Sequence, residues 1–427
     1  MKNAKSVAKL TFAIVIIALM IVVVFLIFIS QLSKDNNETQ TNDVIELTFV
    51  CAYQNEQWSK AILESVNRFN ESRSDIHVTC NVQYEDQVYD EALNRLYATD
   101  NLGDIVQLKT PYYFAECGAL SEIPIDVYDD VKNVYKYRDR VYGVSAVTTT
   151  VGIVYNRALF DRYNIEEPKT YQEFLQICRK FKDNKVTPLL VAGSDLWHLE
   201  FLYNHYFQSD FVSNNPDWTE DEDFSFVDSE DMNKAMYNLK NLFDKEFVND
   251  EWLITEDSST AYLMTQNSAA MLYTGSWTSR EIHDINENFD IGWFYIPNDD
   301  GTCTVSETND AYLCLTKECS NDEDKYNAAI EFLKFFYSED NYDMVLETLN
   351  GISALKDSQN IERNELWQKI VTGYESSDKQ TNSIGDESFP QGFEKSVLTD
   401  LRKMLNAELS IRQFLKTCDK AWNKEEL

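Results

Sequence analysis

The chain has no C-x-x-C pair, and its four histidines, His77, His198, His205 and His283, are scattered, so no zinc-ligand spacing is present. It contains no G-x-S-x-G elbow, no Walker A loop, no G-x-G-x-x-G and no H-E-x-x-H. No local Cys–His pattern marks a thiol nucleophile, and internal repeats and sustained low-complexity tracts are absent. With 72 acids, neighbouring carboxylates are certain somewhere. Glycoside hydrolysis needs two carboxyls roughly 5–9 Å apart across one bond, so acids alone are no evidence for it. The expectation is a protein that is not an enzyme and uses no cofactor or metal.

Acids are also missing before Asp35, where Lys2, Lys5 and Lys9 precede an unbroken apolar run, Leu10 to Ile29. Twenty residues at about 1.5 Å each reach roughly 30 Å, the thickness of a bilayer's hydrocarbon core. Positive charge stays on the cytoplasmic side, so residues 1–9 are expected inside, 10–30 as a transmembrane anchor, and the rest outside. The run is longer than a cleaved signal's core, and Ser30-Gln31-Leu32-Ser33 offers no small-residue cleavage pattern; a cleaved signal is the plainer alternative. No cysteine precedes Cys51, so no thiol near the run can carry a lipid. Residues 31–43, polar and poor in apolar side chains, read as a tether.

After Lys34 the remaining 34 bases face all 72 acids, a net charge of −38. Such a surface repels nucleic acid and anionic lipid, although it names no partner. The outer residues are too many for one ordinary core, so two lobes are expected. Cys51 and Cys80 fall on neighbouring predicted strands, either as a pair or as buried free thiols.

Alternating and β-branched stretches predict strands at Ile45–Ala52, Ile76–Tyr84 and Asp104–Leu108, and helical spacing predicts helices at Ser59–Asn70 and Tyr89–Thr99. Alternation of this kind implies parallel strands with helices on the faces, and ligands gather at the strands' carboxyl ends. Val141–Tyr155 is extended and too long for one simple strand; it could carry the chain between lobes. Thr170 and Glu173 form a T-x-x-E start signal, Leu189–Ala192 is a short strand ending at Trp197, and Asp228 or Ser229 caps a helix through Phe243. Further strands are expected at Ala269–Tyr273, Ile291–Ile296 and Ala311–Thr316, and a helix at Asn327–Tyr337. Asp357–Phe389 reads as polar and irregular, and the tail from Phe393 as helical.

Five blocks, in order, resemble the extracellular solute-binding proteins of ABC importers, the group that includes maltose-binding protein. They are Cys117–Ile123 (CGALSEI), Val141–Phe160 with its Gly152-Ile153-Val154-Tyr155-Asn156-Arg157 core, Pro168–Phe174 (PKTYQEF), Ala269–Trp277 (AAMLYTGSW) and Ala328–Phe335 (AAIEFLKF). The family usually has proline near Val144 or Ser145, and its Gram-positive members are mostly lipid-anchored; this chain departs on both counts. The resemblance implies an α/β, two-lobed, periplasmic-binding-protein-like fold of type II, here preceded by one N-terminal transmembrane helix. It assigns 44–149 and 309–337 to the first lobe and 150–308 and 338–427 to the second, with crossings near Thr149, Thr308 and Tyr337. The implied task is binding a carbohydrate, most simply an oligosaccharide, outside the cell and delivering it to ABC permease subunits.

A sugar offers flat C–H faces and a fringe of hydroxyls, so its site needs aromatic plates and planar polar groups. The candidates at strand ends are Tyr53, Gln54 and Gln57, then Gln107 and Lys109, and Thr149 at the first crossing. Trp197 and His198 follow the short strand, Trp277 closes the G-S-W segment, Asn309 and Asp310 lie at the second crossing, and Phe393 opens the tail. The family uses Trp277 as a stacking plate; a buried packing role is the plain alternative for both tryptophans. Lys109 stands where the family often has an acid, and could donate to hydroxyls or meet an acidic sugar. Rival readings are a tethered sensor of the same fold, a peptide or polyamine ligand, and a glycoside hydrolase.

Overall fold

The computed structural model describes residues 44–53, 56–84, 89–221, 223–308, 311–356, 364–380, 389–390 and 393–423. The expected cytoplasmic end, anchor and tether, and the candidates Gln54, Asn309 and Asp310, lie outside the described residues. Among those described, no helix is long and apolar enough to cross a membrane.

The chain opens with β1 (Ile45–Tyr53), α1 (Glu56–Ser72), β2 (Ile76–Tyr84), α2 (Tyr89–Ala98) and β3 (Ile105–Leu108), followed by β4 (Leu120–Ser121), β5 (Val134–Tyr137) and β6 (Arg140–Ser145). The middle holds β7 (Thr149–Asn156), α3 (Tyr171–Asp183), β8 (Leu189–Leu190), α4 (Leu196–Tyr206), α5 (Glu230–Asp244) and α6 (Asp257–Thr265). Then come β9 (Met271–Gly275), α7 (Thr278–Ile285), β10 (Ile291–Phe294), β11 (Thr304–Thr308) and β12 (Tyr312–Thr316). The last part carries α8 (Glu323–Phe336), α9 (Glu339–Leu349), α10 (Glu365–Ser376), β13 (Asp378–Gln380), α11 (Phe393–Leu405) and α12 (Ile411–Trp422).

Two sheets result. The first runs β2-β1-β3-β12-β6-β5, with β4 beside β12; the second runs β13-β11-β7-β9-β8, with β10 beside β7. Strands β1, β2 and β3 are parallel, as two βαβ crossovers require, whereas β12 returns antiparallel between β3 and β6. Asp104 ties this sheet together. Its buried carboxylate accepts from the Thr48 N–H of β1 at 2.8 Å and from Lys325 Nζ of α8 at 3.1 Å. Gly103 before it has φ +82°, and a Cβ there would stand 2.9 Å from the Thr48 carbonyl oxygen, so glycine alone fits the turn.

The extended stretch Val141–Tyr155 is two strands, one in each sheet, separated by Ala146–Thr148. Ala146 N donates to Ala311 O, and Thr148 pairs with Ile352, so three passages of chain run side by side where the sheets meet. The sheet changes at Thr149 and after Thr308. The third passage comes later than Tyr337. Tyr342, Val345, Leu346 and Leu349 of α9 pack in the first core with Phe49, Ile62 and Phe332, so this helix stays with the first sheet rather than with the 338–427 block assigned to the second lobe. The second core is aromatic: Phe207, Phe211, Trp218 and Phe226 meet edge-on or tilted, and Phe389, Phe393 and Trp422 from the tail close over them.

Local start signals work as read, with one change. Thr170 Oγ1 accepts from Glu173 N–H, but the Glu173 carboxylate turns to Lys169 N–H, so the two-way box is not completed there. Ser410 and Gln413 complete one at α12. The described residues within 357–389 are less irregular than expected: Trp367, Ile370, Val371 and Tyr374 give α10 an apolar stripe that packs under β10 and β11, and β13 pairs with β11. Cys51 and Cys80 are both free thiols. Cys80 is in register with Phe49, two residues short of Cys51, and that offset works against a disulfide without strand movement.

Candidate functional site

The carboxyl ends of β1 and β3 and the first turn of α1 supply one wall. Gln57 is 2 % exposed, and its Nε2 donates to Asp284 Oδ2 of α7 at 3.2 Å, reaching across to the other sheet's elements. Lys60 Nζ, one turn on, is 3.5 Å from the same carboxylate. Gln107 is buried. Its Oε1 accepts from Trp58 Nε1 at 3.0 Å and from Ala52 N–H at 3.3 Å, so it fixes the end of β1. Lys109, just past β3, lies 3.7 Å from Glu200 Oε2 of α4 and 3.6 Å from Glu394 Oε1 of α11. The two halves thus meet at two polar bridges. A third contact, Asn350 Nδ2 to Ser279 Oγ at 2.6 Å, sits at the chain crossings.

The opposite wall is aromatic. Trp197 does not end a strand; it lies in the first turn of α4, half-buried, with Phe201 one turn on and ring centroids 5.4 Å apart. Phe201 in turn meets Trp277 edge-on at 6.0 Å. Trp277 is 7 % exposed, precedes α7, and its indole Nε1 has no hydrogen-bond partner. The indole folds back over Gly275, where any Cβ would collide with it.

Behind this wall is a buried titratable group. His198 has no exposure and neither ring nitrogen has a hydrogen-bond partner; Nε2 is 3.6 Å from Asp257 Oδ1. Burial pushes His198 down to about 4 and so keeps the imidazole neutral at pH 7. Burial, then the charges of Glu281 and Asp195, push Asp257 up to about 8. Glu281 rises to about 7 through burial, with Glu56 and Asp284 adding to it and Lys60 opposing. Among the described residues, no group of three or more His, Cys, Asp or Glu side chains could hold a metal ion.

The sequence candidates therefore divide. Gln57 and Lys109 reach across to the other half, Trp197 and Trp277 both pack against Phe201, and Tyr53 ends β1. Thr149 begins β7 at the crossing, paired with Thr308. Gln107 supports the first wall from within, and His198 is packed behind the second. Phe393 is a correction: it is 1 % exposed in the second core, 4.9 Å from Phe389 and 6.3 Å from Trp422. Its neighbour Glu394 is the residue that reaches the gap. Glu200, Phe201, Glu281 and Asp284 were not foreseen. Phe201 stands four residues after Trp197, a helical spacing that was legible once α4 replaced the expected strand end.

Two α/β halves linked by three adjacent passages define a two-lobed protein. The chain belongs to the bacterial extracellular solute-binding protein family, whose profile matches residues 54–343. Among its relatives is a multiple sugar-binding protein of Streptococcus mutans, 27% identical over 173 residues, or 39% of this chain and 40% of that one. Another is the melibiose/raffinose/stachyose-binding protein MelE of Bacillus subtilis, 23% identical over 237 residues, or 52% and 54%. The matches span about half the length of those relatives or less. A solved chitin oligosaccharide binding protein has the same fold, with a TM-score of 0.79 at 18% identity over 90% of this chain and 99% of that one.

Proposed function

We propose that this chain binds a carbohydrate, most simply an oligosaccharide, in the gap between its lobes and delivers it to the permease of an ABC transporter. What supports the reading is the Trp197–Phe201–Trp277 aromatic cluster in the half that Gln57 and Lys109 reach through Asp284 and Glu200. Aromatic faces cover the C–H surface of a sugar ring, and charged and amide groups order its hydroxyls. The sugar-binding names of the relatives point the same way. Binding to one wall and closure by the other is the mechanism, with three narrow passages as the hinge. Recognition and closure involve no bond making, so the reading is of a binding protein and not an enzyme. The apolar run at 10–29 would hold the lobes at the outer face of the membrane as a single-pass anchor.

A thermal-shift screen of the full chain in detergent against neutral oligosaccharides tests this. A ligand at 100 times its dissociation constant adds about 2.7 kcal/mol to the stability of the folded form. Trp277→Ala should abolish that shift while leaving a cooperative unfolding transition. A shift of the same size in the variant would remove Trp277 from the site.

A further inference from the structure

The contacts of Lys109 bear on which carbohydrates are admitted. Its ammonium sits between two carboxylates of the facing lobe, Glu200 Oε2 at 3.7 Å and Glu394 Oε1 at 3.6 Å. Glu200 is almost fully buried, and its other oxygen accepts from Asn204 Nδ2 at 3.3 Å. The carboxylate is therefore held in place by its own helix. Glu394 and Lys109, by contrast, are each about a third exposed.

We propose that Lys109, Glu200 and Glu394 form a charge filter that admits neutral sugars and rejects anionic ones such as uronates. This rests on the carbohydrate reading above. An entering group meets an ammonium already engaged by two carboxylates of the facing lobe. A hydroxyl accepts from an ammonium and donates to a carboxylate at once, so a neutral sugar can enter this triad and satisfy both kinds of partner. A carboxylate or sulfate only accepts. It competes with Glu200 and Glu394 for the ammonium and meets their like charge, and Glu200 is almost fully buried, where repulsion is strong. The option that Lys109 welcomes an acidic sugar is thereby disfavoured: the charge that would attract it is already engaged.

The test is a competition. The full chain in detergent is incubated with an equimolar mixture of neutral xylo-, chito- and galacto-oligosaccharides and of oligogalacturonates and glucuronate-substituted xylo-oligosaccharides of equal length. Retained glycans are identified by mass spectrometry after ultrafiltration. The wild type should retain neutral glycans at least tenfold over acidic ones. The double variant Glu200→Gln/Glu394→Gln should lose at least tenfold of that ratio, because the ammonium is released to an anion. Glu394→Gln alone, at the more exposed position, should move the ratio in the same direction if the double variant does not fold. Retention of acidic glycans by the wild type, or an unchanged ratio in a folded variant, overturns the filter and leaves carbohydrate binding standing. Retention of no glycan by the wild type overturns the carbohydrate reading and the filter with it.

Discussion

Replacing Gly275 by alanine isolates the aromatic wall. A Cβ at this position would stand 2.0 Å from Trp277 Cζ3, 2.1 Å from Cη2 and 2.3 Å from Cε3, whereas real Cβ atoms keep at least 3.0 Å from other heavy atoms. The indole must retreat by about 1 Å or more, and it is buried against neighbours that resist. Overpacking of this kind costs about 1–3 kcal/mol. For a lobe of 150–250 residues, 1 kcal/mol lowers the melting temperature by about 2–4 °C, so a fall of roughly 2–12 °C is expected. The same substitution on a Trp277→Ala background should cost close to nothing, because the colliding ring is gone. The double-mutant cycle therefore has a coupling of about 1–3 kcal/mol, read by differential scanning calorimetry of the four proteins. Glycan affinity should fall in Gly275→Ala even where the fold survives, since the plate has moved. Equal costs of Gly275→Ala on both backgrounds would refute the reasoning.

Gln107→Ala should lower stability by about 1–3 kcal/mol, because the Trp58 indole N–H and the Ala52 N–H lose a buried acceptor; thermal denaturation checks it. Asp419→Ala should cost a similar 1–3 kcal/mol, since the carboxylate accepts from Phe226 N–H, Val227 N–H and Ser225 Oγ, and Asp419→Asn should recover part of that loss. Stability should depend on pH in a stated direction. Asp257 and Glu281 have raised values in the folded chain, so there they hold protons that the unfolded chain releases, and their contribution fades as pH rises through about 7 to 8. His198 and His205 are lowered to about 4 and act oppositely below pH 6.5. The melting temperature should therefore fall between pH 6.5 and 8.5, and Asp257→Asn should flatten that decline; an undiminished slope in the variant would exclude Asp257 as its source.

The parts of this fold that follow from local periodicity were legible. Strand and helix alternation from Ile45 to Leu108 was read nearly to the residue, because β-branched runs and helical stripes there are uninterrupted. Failures came where tertiary packing decides. Trp197 follows Gly193 and a two-residue strand, and only the Trp197–Phe201 spacing betrays the helix. Phe393 and Glu394 are adjacent, but the helix turns one into the core and the other toward Lys109, a choice set by which face meets α4 and α12. Asp284 meets Gln57 only because α7 lies against α1, more than two hundred residues earlier, and no local pattern encodes that meeting.

Strand β12 lies in the interior of the first sheet, hydrogen-bonded to β3 on one side and β6 on the other. Its residues, 312–316, leave the ribosome long after those partners do. The second sheet's central strands, β7 to β11, all fall within 149–308 and can pair while the first sheet still has an empty slot. During synthesis β3 and β6 wait, each with one edge unpaired, for the missing piece, and the second half's core stays open until α10, α11 and α12 arrive from the tail. A nascent chain stalled before residue 312 should be protease-sensitive in its first hundred residues, whose sheet still lacks its interior strand.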